Sequence, residues 1–378
     1  MNKSVVALIP CRNYGDQVPE KIRKGVSLLG GPEAFLKREE SILVKPNVLS
    51  GVKPEKAVTT HPAVMDGVLK LLKEEGFSNV TCGDGPGGMS HDTKKALDAC
   101  GLFKVAEENQ VPIADFDTLV KVQFPEGKRA KEFPLVKAAV SADAIVSVCK
   151  MKTHALENIT GAVKNQYGLV FGRNKAAGHA LYPDSRKFAE MLVDLDLFLK
   201  PRLYIMDGII AMEGNGPGSG DPVPMGVLLF SADPIAMDTV FSRLIYLDPA
   251  NVPTCVAGEK AGLGTMEEKN IRIVTEEGEI SFDDAVSRFG KADFNVKREK
   301  PSFWRLGAFF HFPKKKKDKP VVDLQKCIGC GICEEACPVD GKAVHSGKGK
   351  KAVYEYSRCI RCYCCQEMCP EKAITKQD

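Results

Sequence analysis

Residues 327–338 read CIGCGICEEACP, and residues 359–370 read CIRCYCCQEMCP. Both runs place cysteines at the first, fourth, seventh and eleventh positions and then end in proline. A tight loop with a thiol at every third residue can surround one face of an inorganic cluster, and its fourth thiol has to come from elsewhere. The duplicated spacing therefore predicts a small domain, at the end of the chain, that folds around cysteine-held metal.

The same spacing holds [4Fe-4S] clusters in bacterial ferredoxins, where the last cysteine of each run binds the other cluster. We therefore predict two [4Fe-4S] clusters with crossed ligands. The predicted ligands are Cys327, Cys330, Cys333 and Cys369 for the first cluster, and Cys337, Cys359, Cys362 and Cys365 for the second. Cys364 is left over, and we interpret it as a spare thiol that becomes a ligand only where Cys362 or Cys365 is displaced.

Zinc and disulfides are the competing interpretations of these cysteines. Zinc closes at four ligands per ion and prefers paired Cys-x-x-Cys ligands, which leaves the third and fourth cysteines of each run unexplained. Disulfides need an oxidising compartment. The chain begins MNKSVVALIP, whose apolar run is too short for a signal peptide. Iron-sulfur clusters in a reducing cytoplasm are therefore the preferred prediction.

The composition is ordinary for a globular protein. The chain has 378 residues, of which 44% are hydrophobic and 27% charged, enough for one large domain and a small one. The net charge is only +4, far from the basic balance of a nucleic-acid binder. No stretch approaches the roughly 20 apolar residues of a membrane span. We predict neither nucleic-acid binding nor membrane association, and the oligomeric state stays open.

Strand-like and helix-like patterns alternate through the first 300 or so residues. A strand at 41–47, an amphipathic helix at 63–75 and a strand at 79–82 make a β-α-β unit, which implies a parallel sheet with helices on its faces. Residues 207–224 are predicted as a long Gly-rich loop. We predict a doubly wound, mainly parallel α/β domain over residues 1–300, a linker over 301–320, and a small α+β ferredoxin-like iron-sulfur domain over 321–378.

Two further segments have an unusual composition. Residues 303–312 are apolar and aromatic, and residues 313–320 are rich in lysine. We expect the aromatic residues to pack against one of the domains, with a lipid surface as the alternative. The insert 339–358 between the cysteine runs is predicted as a solvated hairpin, with the docking of a redox partner as the alternative. Its lysines are Lys342, Lys348, Lys350 and Lys351.

Polar side chains follow several predicted strands at the point where each strand ends. These are Lys45, Asn47, Asp84, Lys150, Lys152, His154, Asp207 and Glu213. Ligands of open parallel sheets bind beyond the carboxyl ends of the strands. If the chain stays extended after residue 149, residues 150, 152 and 154 point to one face by the period of two. Two ammonium groups and an imidazole would then converge on an anionic ligand; the alternative is a set of unrelated surface lysines.

The glycine-rich stretches carry weaker predictions. Residues 83–88, GDGPGG, formally match a dinucleotide fingerprint, but Pro86 removes a backbone donor where a phosphate would need one. Residues 214–222 are predicted either to lie over a ligand or to be a plain connection. Asp233 is interpreted as a helix cap before Pro234. A further organic cofactor such as a flavin has no supporting motif.

Six motifs occur in a distinctive order along the first 300 residues. They are residues 45–47 (KPN), 60–62 (THP), 83–85 (GDG), 150–154 (KMKTH), 207–214 (DGIIAMEG) and 233–238 (DPIAMD). In this order they resemble the domain-of-unknown-function family 362, whose members often carry a C-terminal two-cluster ferredoxin. The resemblance implies an iron-sulfur protein typical of anaerobic bacteria and archaea, without an assigned reaction or catalytic set. The long insert between the cysteine runs departs from a minimal ferredoxin.

The leading functional hypothesis is an iron-sulfur oxidoreductase. Low-potential electrons from the two clusters would reach a substrate or second cofactor at the strand ends of the α/β domain. Lys45, Lys150 and Lys152 would hold the anion, and His154 would donate a proton. Asp84, Asp207 or Glu213 would orient the ligand or a metal, together with Asn47. The alternative is a non-catalytic electron carrier, or a partner in cluster or metal maturation, that docks another redox protein.

Overall fold

The computed structural model describes residues 3–87, 92–172, 174–298 and 318–377. The predictions made for the aromatic and Lys-rich segment 301–317 lie outside the described residues. Within the described ranges, no helix is long and apolar enough to cross a membrane.

Fifteen strands are present in the described residues. They are β1 (Ser4–Pro10), β2 (Ile42–Lys45), β3 (Val80–Cys82), β4 (Leu119–Gln123), β5 (Glu132–Val136), β6 (Ala144–His154), β7 (Asn158–Thr160), β8 (Leu203–Glu213), β9 (Asp221–Ser231), β10 (Ile271–Thr275), β11 (Gly278–Ile280), β12 (Lys319–Val322), β13 (Val344–Gly347), β14 (Lys350–Tyr354) and β15 (Ile374–Gln377).

The α-helices surround these strands. They are α1 (Val18–Ser27), α2 (Pro62–Glu74), α3 (Thr93–Ala99), α4 (Leu102–Glu108), α5 (Lys137–Ser141), α6 (Ala162–Asn165), α7 (Asn174–Leu181), α8 (Ser185–Leu199), α9 (Pro234–Leu244), α10 (Pro253–Ala261), α11 (Phe282–Phe289), α12 (Ile332–Glu335) and α13 (Cys364–Glu367).

A nine-stranded mixed sheet is the centre of the larger domain, in the order β11-β10-β1-β9-β8-β6-β2-β3 with β7 beside β6. Strands β3, β2, β6 and β8 are parallel to one another, whereas β9 is antiparallel to both β8 and β1. Helices cover both faces, so the predicted α/β class is confirmed. The carboxyl ends of β2, β3 and β6 consequently meet at one edge of the sheet.

Alternate residues of the central strand β6 belong to two separate hydrophobic cores. Val146 and Val148 pack with α1 to α4 on one face, and Ile145 and Cys149 pack with α8 to α11 on the other. All eleven residues of β6 are buried. The first part of the strand is therefore mainly apolar, and lysine and histidine occur only in its last five residues.

The largest difference from the prediction lies between β8 and β9. The segment 207–224 was predicted as a loop, but β8 continues to Glu213 and β9 begins at Asp221. A register irregularity between Gly208 and Ile210 lets the long hairpin continue past the glycine. Only residues 214–220 remain as the connection, and they contact the smaller domain.

The smaller domain packs on that connection through α13. Gln366, which is buried, donates from Nε2 to Asn215 Oδ1 at 2.9 Å and to the Gly216 carbonyl at 3.1 Å. Ser219 Oγ donates to the Cys369 carbonyl at 3.2 Å. The Gly-rich connection thus holds the second cysteine run against the edge of the sheet. The hairpin predicted in the insert 339–358 is present as β13 and β14.

Candidate ligand site between the two domains

A cavity lies where the carboxyl ends of β2, β3 and β6 face α13 of the smaller domain. The volume of this cavity is about 100 Å³. The side chains with polar groups around it are Asn47, Asp84, Lys152, Thr160, Lys164, Asn165, Tyr167, Lys175, His179, Cys364 and Glu367. Three of the eight residues predicted for the cleft, Asn47, Asp84 and Lys152, line this cavity. The smaller domain contributes the last wall, through Ala336, Cys364, Glu367 and Met368.

Two of the predicted anion-binding lysines form buried ion pairs. Lys45 Nζ lies 2.7 Å from Asp84 Oδ1 and also donates to the Pro46 carbonyl and Asn165 Oδ1. Lys150 Nζ donates to Asp207 Oδ2 at 2.8 Å and to the Tyr14 hydroxyl at 2.8 Å. Neither lysine lines the cavity. Each ammonium group is neutralised by a carboxylate from another strand end, so the structure does not place Lys45 and Lys150 for holding an anion.

Lys152 has a different environment, although it lies only two residues after Lys150. Its Nζ donates to Asn47 Oδ1 at 2.7 Å and to the Val58 carbonyl at 2.8 Å, both uncharged acceptors. The pairing of β6 with β8 shifts register between Lys150 and Lys152. Burial lowers the pKa of Lys152 to about 7, and the neighbouring ammonium groups of Lys164 and Lys150 act in the same direction.

Two further lysines, which no sequence pattern selects, reach the same cavity. Lys164, on α6, has its ammonium group over the Tyr167 ring at 5.9 Å from the centroid. Lys175, on α7, donates to the carbonyls of Gly85 and Pro86 at 2.8 and 3.1 Å. Burial lowers the pKa of Lys175 to about 8. No carboxylate in the described part of the chain forms an ion pair with Lys152, Lys164 or Lys175.

His154 is held as a neutral ring. Its Nδ1 accepts hydrogen bonds from the backbone N–H groups of Leu156 and Glu157, both at 3.1 Å, so the ring proton is on Nε2. Nε2 faces Glu367 Oε1 at 2.8 Å across the domain boundary. Burial lowers the pKa of His154 to about 4. This geometry suits a residue that positions α13, and His154 does not line the cavity where it was expected to donate a proton.

The predicted acidic ligands do not share a site. Asp84 pairs with Lys45, Asp207 with Lys150, and Glu213 Oε2 accepts the backbone N–H of Asn295 at 2.8 Å. Among the described residues, no three His, Cys, Asp or Glu side chains come together around a position for a single metal ion. The structure therefore provides no metal site at the strand ends in the described ranges.

The eight cysteines predicted as cluster ligands line two small cavities within the smaller domain. Cys327, Cys330, Cys333 and Cys369 surround one, and Cys337, Cys359, Cys362 and Cys365 surround the other. Four of the sulfur atoms accept hydrogen bonds of 3.2 to 3.4 Å, from the N–H groups of Ala343, Ala352 and Ala373 and from the Tyr354 hydroxyl. Donors of this kind stabilise thiolates bound to iron, so the residues present fit [4Fe-4S] clusters. Cys364 lines neither cavity and faces the ligand site instead.

Comparisons with known proteins agree with this two-part organisation. Residues 42–243 match the family described as a domain of unknown function (DUF362), and residues 319–370 match a 4Fe-4S dicluster domain. Both matches confirm the resemblance inferred from the sequence. The chain is 34% identical over 266 residues to a thylakoid-associated protein of Synechocystis sp., a match that covers 68% of this chain and 79% of that protein.

Solved structures show weaker similarity. The chain aligns with the lactate racemase apoprotein from Thermoanaerobacterium thermosaccharolyticum at a TM-score of 0.38 and 13% identity, covering 60% of this chain and 54% of that one. It aligns with a Thermotoga maritima protein at a TM-score of 0.35 and 15% identity, covering 64% and 59%. The chain thus spans less than two thirds of the length of either structure.

Proposed function

The chain belongs to the domain of unknown function family DUF362 and carries a 4Fe-4S dicluster domain, and on this premise we propose that it is an iron-sulfur oxidoreductase. Its acceptor would be a small anion bound in the cavity between the two domains. Cys327, Cys330, Cys333 and Cys369 would hold one [4Fe-4S] cluster, and Cys337, Cys359, Cys362 and Cys365 the second.

One observation carries the choice of an anion: three lysines line the cavity without a carboxylate partner in the described residues. The carboxylates at the cavity are Asp84, which Lys45 neutralises, and Glu367. With its lysines protonated, the cavity therefore has an excess of positive charge. Buried charges are normally paired, because burying an isolated ion costs several kcal/mol. A bound anion would supply the missing charge for Lys152, Lys164 and Lys175.

The position of α13 supports electron transfer to that anion. Cys364 lines the cavity and is the direct neighbour of Cys365, a proposed ligand of the second cluster. The anion would accept one electron from each cluster, two in total, and would take up a proton from the Lys152 ammonium group. A pKa of about 7 allows Lys152 to donate a proton near neutral pH and then to recover one from water.

Native mass spectrometry on protein purified without oxygen tests this function. We expect a mass above that of the chain plus two clusters, and an organic anion that denaturation releases. The double variant Lys164→Met and Lys175→Met should lose this extra mass and keep its clusters, whereas Lys104→Met and Lys121→Met, at exposed positions away from the cavity, should retain it. A wild-type mass fully explained by chain and clusters would favour a non-catalytic electron carrier.

We further propose that the protein works in the cytoplasm. The relative from Synechocystis sp. is named as thylakoid-associated, which makes a membrane surface the competing location. Fractionation of the native cells separates the two: recovery in the membrane pellet, released by high salt, would contradict the cytoplasmic assignment.

A further inference from the structure

We propose that the outer face of the smaller domain binds a small acidic electron-carrier protein, and that electrons enter the chain there through the cluster held by Cys327, Cys330, Cys333 and Cys369. The docking face consists of Leu324, Ile328, Val353, Lys348, Lys350 and Lys351. The proposal concerns the arrival of electrons, so it does not depend on which anion occupies the cavity.

The docking face is continuous, because the hairpin β13–β14 packs beside the first cysteine run. The backbone N–H of Gly349, at the tip of the hairpin, donates to the Gly329 carbonyl at 3.2 Å. Lys351 Nζ donates to the Leu324 carbonyl, and the Ala352 N–H donates to Cys327 Sγ at 3.4 Å. These contacts bring the tip of the long insert against the loop that surrounds the first cluster cavity.

Apolar side chains are exposed on this face. Leu324 is 53% exposed, Ile328 58% and Val353 66%. They are three of the eight large apolar side chains that stand exposed in the described residues, although the smaller domain is a minor part of the chain. Ile328 also lines the first cluster cavity. A concentration of exposed apolar groups beside a redox centre is typical of a protein interaction surface.

The charge around these apolar groups selects an acidic partner. Lys348, Lys350 and Lys351 are exposed, and none of them forms an ion pair with a carboxylate of the described residues. Lys326, next to them, is only loosely paired with Asp323 at 3.7 Å. Lys342, the remaining lysine of the insert, is directed elsewhere and donates to the Cys337 carbonyl at 2.8 Å. The exposed carboxylate of Glu371 lines the same cluster cavity as Ile328, and the three unpaired lysines outnumber it. This excess of positive charge beside an apolar centre complements an acidic carrier and steers its approach.

The two cluster sites differ in their access to this face. Cys330 is exposed, whereas Cys337, Cys362 and Cys365 of the other set are buried. Among the cavity residues of the smaller domain, Ala336 and Cys364 adjoin Cys337 and Cys365 of the second set in the chain, and Met368 adjoins Cys369 of the first, so the second set has more neighbours at the ligand site. We therefore order the two clusters from the docking face inwards, with the first set nearer the docking face and the second set nearer the ligand site.

The transfer itself is a one-electron exchange. The cofactor of the carrier loses one electron, and a [4Fe-4S]²⁺ cluster gains it to become [4Fe-4S]⁺, with no proton transferred. Reduced flavodoxin, an acidic carrier protein, is a suitable probe. Stopped-flow absorbance under anaerobic conditions follows bleaching of the clusters, and a second series with dithionite measures reduction that needs no docking.

A matched pair of variants tests the docking face. Lys348→Gln, Lys350→Gln and Lys351→Gln together should slow reduction by flavodoxin at least about tenfold and reduce its dependence on salt. Lys104→Gln, Lys121→Gln and Lys269→Gln together remove the same charge from exposed positions of the larger domain and should leave the rate unchanged. Both variants should be reduced by dithionite at the wild-type rate.

Equal rates with flavodoxin for the wild type and both variants, whether fast or negligible, would overturn the proposal. The proposal would also be overturned if the wild type forms a dimer in sedimentation and the Ile328→Glu variant is a monomer. That result would mean that the docking face binds a second copy of the chain. The mass-spectrometry test of the co-purified anion concerns only the cavity, so the failure of the proposed function and the failure of the docking proposal are distinguished by different experiments.

Discussion

Two groups of lysines lie at the carboxyl edge of the same sheet and differ in their partners. Lys45 and Lys150 each face a carboxylate, whereas Lys152, Lys164 and Lys175 face carbonyls, an amide and an open cavity. The charges of the first group are neutralised within the protein, without a ligand. In the proposed function a bound anion would neutralise the second group, so the difference would separate residues that hold the fold from residues that hold a ligand.

The ion pairs should show the largest effect on stability. Asp84→Ala leaves the Lys45 ammonium group buried without a counter-charge and removes the acceptor of the Val48 N–H. We expect a loss of about 3–5 kcal/mol in the free energy of unfolding. Urea unfolding followed by far-UV circular dichroism, without oxygen, measures it. A loss below about 1 kcal/mol would mean that Lys45 is not neutralised by Asp84 and belongs with the second group.

Anion binding should depend on the second group. Lys152→Met keeps the length of the side chain and removes the charge, so the loss of a charge-assisted hydrogen bond should weaken binding by about 1.5–3 kcal/mol, roughly 10- to 100-fold. Calorimetry with sulfate, a simple dianion probe, measures the affinity. Lys152→Met should lose far less of the free energy of unfolding than Asp84→Ala does. Sulfate affinity equal to that of the wild type would place the anion elsewhere.

The pH dependence of stability gives a sharper test of the same lysine. The pKa of Lys152 falls from 10.5 to about 7 on folding, so the unfolded chain binds more protons between these values and the contribution to stability rises with pH. We expect about 1.5 kcal/mol between pH 7 and 8.5 in the absence of an anion. The charges that act on Lys152 are those of Lys164, Lys150, Glu367 and Asp84. Lys152→Met should lack this contribution and keep the smaller rise that Lys175, with its pKa of about 8, gives in the same range; an identical pH profile in wild type and variant would contradict it.

His154 should give the smallest effect, because it positions α13 rather than the ligand. The His154 ring accepts from the N–H groups of Leu156 and Glu157 on one side and faces Glu367 on the other. Because His154→Gln removes this ring, we expect the free energy of unfolding to fall by about 1 kcal/mol. Sulfate affinity should fall less than about threefold, and the pH dependence of binding should be unchanged. A pH profile that shifts in this variant would show that His154 does donate the proton.

The sequence was sufficient where a local pattern decides the structure. The amphipathic helix predicted at 63–75 is present as α2 (Pro62–Glu74), and the side chain of His61 before it accepts from the Ala63 N–H. The unit from β2 to β3 and the hairpin in the insert, β13–β14, also follow from local patterns. In contrast, Gly208 interrupts the alternation in the middle of β8, and the register irregularity that tolerates it depends on the neighbouring strand.

The sequence indicated the edge of the sheet at which the candidate site lies, but only some of the residues that line it. Strand ends placed Asn47, Asp84 and Lys152 at the correct edge of the sheet. The partners of Lys45 and Lys150 lie 39 and 57 residues away in the chain, and no local pattern indicates which carboxylate meets which ammonium group. Lys175 lies on the short helix α7, and its place at the cavity depends on how α7 packs against the loop after β3.

The wall that α13 contributes to the cavity links two equilibria. An anion in the cavity contacts both domains, so it binds the docked arrangement better than either domain alone and stabilises that arrangement by the same free energy. Each electron added to the smaller domain places negative charge beside the same cavity and weakens the binding of the anion. By reciprocity, a bound anion makes reduction harder and its departure makes reduction easier. If the proposed function holds, the redox potential of the smaller domain would depend on whether an anion occupies the cavity.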